Sequence, residues 1–511
     1  MHDLSLNQLL LVQVEKHPTK VALQFSNESL SYEELDRRAS QVARGLLEQR
    51  IQPGDRVAYL GKNSIAYFEF LLGAAKARAV TVPISWRLAL PEINHVLANS
   101  RAKLLLAEAA FDDAGIHTRR LISGGENDSY ASWRDAHPAA RIDVQIDPRE
   151  PVLQLYTSGT TGQPKGVMLT HRSIFGLRSR MDLLPAWWRW SSDDVSLIAM
   201  PVAHISGTGW ALWTWQCGAT GIILRDFSPE TVIELMVQHR TTKIMLVPTA
   251  LQMAAQHLRS RQIDLGFLRY MYYGGAPLPP SLLKECATAF RCGFVQMYGM
   301  TETSGTVVAL APEDHEASGR NRLNSVGKPL PGVELKILDD GGLSVAPGVS
   351  GEIAIRSISN MAGYFEMPEA TASTLDETGW LRTGDIGYLD VEGYLFLQDR
   401  VKDMIISGGE NIYPTEVESA LCDHPAVKEV AVIGVPDVKW GESVKAFVVP
   451  SAGTHPSYEE LAAWAARRIA KFKLPRSIEF VNSLPRNHTG KILRRELRRQ
   501  SANVISKGSD V

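Results

Sequence analysis

The chain has 511 residues, 44% of them hydrophobic and 22% charged, with a formal net charge of -2. That length exceeds one ordinary hydrophobic core and calls for at least two domains, while the near-neutral balance offers no general attraction to a polyanion. No apolar run reaches the roughly 18 residues a bilayer span needs, and the opening MHDLSLNQLLLVQVEKHP puts Asp3 where a secretion signal is basic.

Along the chain, LSYEELDRRASQVARGLLEQR (30–50) begins with a Ser-x-x-Glu capping box at Ser31 and Glu34 and continues with apolar residues at helical spacing. Residues 156–171, YTSGTTGQPKGVMLTH, gather glycines, hydroxyls and one lysine into a loop whose composition suits an anion. It is not the G-x-x-x-x-G-K-[ST] pattern, because Gln163 and Pro164 precede Lys165 and Gly166 follows it. Flanked by the strand-like runs VLQLYT and GVMLT, the loop is expected to lack a helix dipole and to grip through hydroxyls, backbone donors and Lys165. KIMLVPTA (243–250) and LRYMYYGG (268–275) read as buried strands ending in proline or glycine, and the glycine-punctuated stretch 326–400 as a small antiparallel β subdomain. Beyond it come a glycine-rich segment, a helix, the strand-like AVKEVAVIGVPD, a helix around YEELAAWAARRIAKF and a basic tail.

The expected fold is α/β. A large N-terminal domain, residues 1–401, would hold two α/β sheets and the small β subdomain, and a smaller α+β domain would span 402–511. From Arg467 to Arg499, eleven Lys or Arg face only Glu479 and Glu496, a local balance of +9 that suggests an anionic partner or a solvated face. Cys217, Cys286, Cys292 and Cys422 form no C-x-x-C pair or zinc spacing, so they read as reduced thiols of a cytoplasmic protein.

Five further motifs follow the phosphate-type loop in order: YYGGAPLPP (272–280), QMYGMTET (296–303), WLRTGDIGYLD (380–390), DRVKDMIISGGENIYPTEVE (399–418) and PRNHTGKILRREL (485–497). As a series covering essentially the whole chain, they resemble the adenylate-forming superfamily of acyl-CoA synthetases, luciferases and peptide-synthetase adenylation domains. The resemblance implies a small C-terminal domain that rotates between two half-reactions. A carboxylate attacks the α-phosphate of ATP to give acyl-AMP and pyrophosphate, and a thiol, usually that of CoA, then takes the acyl group.

The resemblance also assigns residues. Thr157, Ser158, Gly159, Thr160, Thr161, Gly162 and Lys165 would cradle the β- and γ-phosphates. Glu302 would help hold Mg2+, and Thr301 would bond the α-phosphate. Tyr298 and Gly299 would meet adenine, with Gly274, Gly275, Ala276 and Pro277 opposite, and Asp385 would accept both ribose hydroxyls beside Arg400. Lys402 falls at the hinge position. Lys491 matches the lysine that bridges carboxylate and α-phosphate during adenylation. Ser407, Gly408 and Gly409 would line a pantetheine tunnel, and Trp440, Phe472, Lys473 and Arg476 are contacts for the CoA nucleotide, though a solvated basic face or core aromatics account for them equally.

For the acid, MPVAHISGTGWALWTW (200–215) matches the segment that opens the acyl pocket, with His204 near the carboxylate. Ala203 and His204 supply no anion for a substrate ammonium, which argues against an amino acid. Trp187, Trp188, Trp190, Trp210, Trp213 and Trp215 either wall an apolar pocket or pack as core. The expected activity is an AMP-forming acid–thiol ligase with ATP, Mg2+ and CoA, acting on a medium- or long-chain fatty acid or an aryl-substituted acid. Alternatives are an acyl-AMP ligase that loads a carrier protein, a luciferase-like oxygenase, a non-catalytic nucleotide-binding regulator and a nucleic-acid binder. The regulator would have lost Lys491, Glu302 or Asp385, all of which are present, and no nucleic-acid partner is expected. Oligomeric state stays open, a homodimer included.

Overall fold

A computed structural model describes residues 4–507 except 114, 125–127, 158–163, 181, 260, 262, 277, 316–321, 401, 402, 404, 408, 409, 438, 439, 470 and 487–491, with the backbone alone for 399, 400, 406, 410, 411, 441, 472 and 502–507. It divides into two compact units, residues 1–335 with 355–382 and residues 336–354 with 383–511. The second unit therefore takes in strands of the small β region, which the sequence reading grouped ahead of a boundary near 401.

The first unit contains two large sheets. In one, strands Gly293–Met300, Tyr270–Gly274, Lys243–Leu246, Val195–Ile198, Thr220–Ile223 and Val21–Phe25 run parallel in that order. Gly305–Leu310 with Lys328–Pro329 and Glu28–Ser31 add antiparallel edges on either side. In the other, Pro151–Thr157, Val80–Ile84, Arg56–Leu60, Leu104–Glu108 and Arg120–Ser123 form the parallel core. Antiparallel Lys165–Thr170 and then Gly363–Tyr364 complete that sheet. Strands such as Val80–Ile84 and Leu104–Glu108 are buried along their whole length, as parallel strands covered on both faces require.

Helix Tyr32–Glu48 forms where predicted, and Ser31 caps it by accepting from the Glu34 amide at 3.1 Å. The reciprocal half of the capping box is replaced: the Glu34 carboxylate takes Arg37 at 2.6 Å and Arg38 at 2.9 Å, and these bonds hold it down to about 2. The buried strand read in 243–250 ends ahead of its proline, as expected. Only Lys243–Leu246 is strand, and Pro248 opens helix Pro248–Arg259, because its fixed φ and missing N–H suit a first helical turn.

In the second unit, the part of strand Trp380–Leu389 from Asp385 onward pairs antiparallel with Leu395–Arg400. A further sheet carries Val427–Asp437 against Gly441–Pro450, with Ser477–Phe480 parallel to the latter. Strand alternation sends Val430, Val432 and Val444 toward Val417, Leu421 and Leu461, and sends Ala431, Ile433 and Phe447 toward Leu497. The basic tail is answered in part by acids from outside it. Lys473 pairs with Glu416 at 2.7 Å, Arg486 with Glu429 at 2.6 Å, Arg494 with Glu418 at 2.8 Å and Arg498 with Asp403 at 2.8 Å. The +9 count overstates the free charge because these four acids lie outside the segment, 57 to 95 positions before the bases they pair with.

Candidate active site

In open parallel sheets, ligands bind beyond the carboxyl ends of the strands. The predicted residues of the first unit collect at such ends. Gly274 closes strand Tyr270–Gly274 and leads into Gly275 and Ala276, and Tyr298 and Gly299 close Gly293–Met300. Thr301 and Glu302 lie on the short 3-10 turn Thr301–Thr303 that follows. His204 comes after Val195–Ile198 and caps helix Ile205–Gln216.

Glycine is required at two of these places. A Cβ on Gly299 would stand 2.0 Å from the Gly305 carbonyl oxygen of the neighbouring strand. One on Gly274 would stand 2.3 Å from the Met297 carbonyl oxygen. Both strands keep their spacing only without a side chain there. The turn itself is closed by Thr303, whose hydroxyl accepts from the Met300 amide at 3.0 Å and donates to the Gly305 carbonyl at 2.7 Å.

The loop that opens with Thr157 behaves as its flanks predict. Thr157 and Lys165 face each other across an antiparallel pair, so no helix follows the loop directly. Ser158, Gly159, Thr160, Thr161 and Gly162 lie outside the described residues, as do Pro277, Lys402, Gly408, Gly409 and Lys491.

Tyr364 connects the hairpin to the turn, and the motif reading missed it. Strand Gly363–Tyr364 pairs with Lys165–Thr170, matching Tyr364 to Val167. The Tyr364 hydroxyl donates to Glu302 Oε1 at 2.9 Å, and Lys165 Nζ stands 4.7 Å from the centre of the Tyr364 ring. The Met361 amide also donates to the Glu302 carbonyl at 2.8 Å. One phenol thus touches a cation from one sheet and a carboxylate from the other. Burial, and then the neighbouring Glu302 charge, push the phenol up, so it stays protonated and keeps donating. The only trace of it in the sequence is a Gly-Tyr pair shortly ahead of the Pro-Glu start of helix Pro368–Thr374.

Of the tryptophans, Trp215 resolves as packing. Trp215 is fully buried and its indole donates to the Ala22 carbonyl at 3.2 Å, in the body of the first unit. Trp190 packs edge-on to Trp210 at 5.0 Å, Trp210 to Tyr272 at 5.0 Å, and Trp188 to both Tyr272 and Trp213. This cluster lies between helix Ile205–Gln216 and strand Tyr270–Gly274, the elements that carry His204 and Gly274.

In the second unit, Asp385 and Arg400 are direct register partners on adjacent strands. Gly384, at φ +70°, turns the chain ahead of Asp385, whose amide donates to the Thr383 hydroxyl at 3.1 Å. Ser407 pairs in register with Gly441, next to Trp440, and the Arg476 guanidinium lies 4.8 Å from the Trp440 ring centre. Lys473 is held by Glu416, and Phe472 is described by its backbone alone.

The donor set suits one hard cation in company with phosphates. Glu302 is a buried carboxylate on a polar turn, and Mg2+ commonly takes one or two carboxylates and leaves its other positions to phosphate and water. Among the described residues, no group of three or more His, Cys, Asp or Glu could hold a metal by itself. No helix among them is long and apolar enough to cross a membrane.

The fold is that of an adenylate-forming enzyme. The sequence matches the AMP-binding enzyme family over residues 10–365 and the AMP-binding enzyme C-terminal domain over 416–491, and the chain belongs to this family. It is 40% identical to a fatty acid–[acyl-carrier-protein] ligase, ScoC of Streptomyces coeruleorubidus, over 97% of this chain and 96% of the relative. It is also 40% identical to a feruloyl-CoA synthase of an Amycolatopsis species, over 94% and 96%. ATP-bound MatB of Rhodopseudomonas palustris superposes with a TM-score of 0.89 at 30% identity, covering 98% of this chain and all of that one.

Proposed function

We propose that the protein is an ATP-dependent, AMP-forming acyl-CoA synthetase that activates a hydrophobic monocarboxylic acid, a fatty acid or an aryl-substituted acid. The observation that carries the reading is the line from Lys165 through Tyr364 to Glu302 at the strand ends. Adenylation brings two anions together and expels a third, so a site for it needs fixed positive charge and a held acid in one place. Lys165 and the hydroxyls of its loop would meet the departing pyrophosphate. Thr301 would donate to the α-phosphate. Glu302, held by Tyr364, would orient the Mg2+ that neutralises phosphate charge when bound. Tyr298 would cover adenine against the surface at Gly274–Ala276, and Asp385 would accept the ribose hydroxyls. Lys491 would bridge the substrate carboxylate and α-phosphate. For the thioester step, Lys402 would act as the hinge, and Ser407, Gly408 and Gly409, with Trp440, would receive the CoA thiol arm. We place the domain boundary at the hinge, near 401, and the protein in the cytoplasm, where its four free cysteines fit a reducing milieu.

The likeness to ScoC favours a second acceptor, a carrier-protein thiol. Incubation with ATP, Mg2+ and a panel of fatty and aryl acids, with CoA or a phosphopantetheinylated carrier protein, separates the two by mass spectrometry. Acyl-CoA is the expected product. Acyl-AMP alone with CoA, together with a loaded carrier protein, would overturn CoA as the acceptor.

A further inference from the structure

Arg178 sits 4% exposed, and among the described residues no carboxylate pairs with it. Its Nη1 donates to the Ile174 carbonyl, its Nη2 reaches the Gly209 carbonyl at 3.3 Å, and its guanidinium lies 5.0 Å from the Trp213 ring centre. Buried cations are normally paired, and burial alone pulls this one down to about 9, leaving it charged at neutral pH. Its Nε has no hydrogen-bond partner, and neither do the indole N–H groups of Trp188 and Trp210, which are 2% and 6% exposed. Ring contacts join these groups into one cluster: Arg178 to Trp213, Trp213 to Trp188, Trp188 to Tyr272 and Tyr272 to Trp210. Every orphan in it is a donor. A folded interior leaves few buried donors unmatched, so three in one aromatic cluster call for an acceptor.

The position says where such an acceptor would come from. Gly209 and Trp213 follow His204 by five and nine residues on one helix, or about 7 and 13 Å along its axis. If His204 stands near the reacting carboxylate, that depth matches the span of an arylpropenoic acid from carboxylate to para substituent. We infer that Arg178, with the indole N–H groups of Trp188 and Trp210, recognises an oxygen acceptor on the far end of an aryl acid, and that the edge-on rings shape a slot for the flat ring itself. This rests on the ligase reading and narrows its substrate class from hydrophobic acids in general to oxygen-bearing aryl acids.

The test compares kcat/KM for cinnamate, 4-hydroxycinnamate, 4-carboxycinnamate and decanoate in the wild type, Arg178→Met and Trp210→Phe, read as acyl-CoA with ATP, Mg2+ and CoA. The wild type should prefer at least one oxygen-bearing acid over cinnamate by about tenfold or more, since a site built to hydrogen-bond an oxygen rejects the analogue lacking it. The hydroxy and carboxy arms tell a neutral acceptor from an anionic one. Arg178→Met should shrink that ratio toward unity. Trp210→Phe, which keeps a ring and drops one N–H, should shrink it in part and serves if the arginine variant does not fold. A wild type that prefers decanoate overturns the inference while the ligase stands. Variants that slow all aryl acids by one factor, with the ratio unchanged, overturn it as well. No product from any acid overturns the ligase reading and this inference together.

Discussion

Tyr364→Phe isolates one hydroxyl at the centre of the candidate site. The ring stays, so the contact with Lys165 at 4.7 Å is kept, while Glu302 Oε1 loses a donor 2.9 Å away. Glu302 is 6% exposed, so water replaces that donor poorly. A hydrogen bond to a charged group contributes about 1.5–3 kcal/mol, and removing it should lower the melting temperature of the free enzyme. The second effect falls on the metal. Outer partners that orient a ligand typically change metal affinity or activity by about 10–100-fold when removed, so the Mg2+ concentration for half-maximal acyl-AMP formation should rise by about tenfold or more. Tyr364→Ala removes ring and hydroxyl together and should cost more, because Lys165 then loses its platform too. Pyrophosphate release across a Mg2+ titration, with thermal unfolding alongside, reads both effects. An unchanged Mg2+ profile in Tyr364→Phe would refute the role given to the hydroxyl, and equal losses in the two variants would refute the role given to the ring as a platform for Lys165.

Gly299→Ala forces a methyl against the Gly305 carbonyl oxygen and should destabilise the first unit by about 1–3 kcal/mol while weakening ATP binding, measured by calorimetry; unchanged affinity and melting temperature would contradict it. His171 is buried with its Nδ1 accepting the Leu6 amide at 3.0 Å, and burial pulls its pKa from 6.5 down to about 4. Between those values the unfolded chain binds the extra proton, so the stabilisation, complete above pH 6.5, is lost as pH falls toward 4, about 3 kcal/mol in all. His171→Gln should therefore narrow the difference in melting temperature between pH 7.5 and pH 5, and an undiminished difference would place the acid sensitivity elsewhere. Lys491→Ala should slow acyl-AMP formation by about 100-fold or more, yet leave thioester formation from supplied acyl-AMP within a few-fold. Equal loss in both half-reactions, followed by product analysis, would remove its assignment to adenylation.

Much of this protein is written locally. The run of buried residues in VTVPI, the cap at Ser31 and the hairpin at Thr157 and Lys165 are set by alternation, capping and turn chemistry within a few residues. The glycines at 274 and 299 likewise announce backbone approach before any neighbour is known. What the sequence could not supply is which distant residue answers which. The acids that neutralise Arg486 and Arg494 lie 57 and 76 positions away, so a charge count along the tail misjudges it. Tyr364 meets Glu302 only because Gly363–Tyr364 joins the edge of the hairpin's sheet, 62 positions downstream of the turn it supports. Arg178 looks like any polar residue after a short helix until folding sets it against helix Ile205–Gln216 and buries it. Periodicity and turn chemistry act over the range of a few bonds and can be read from the chain. Charge pairing and burial depend on which strands become neighbours, and only the folded molecule decides that.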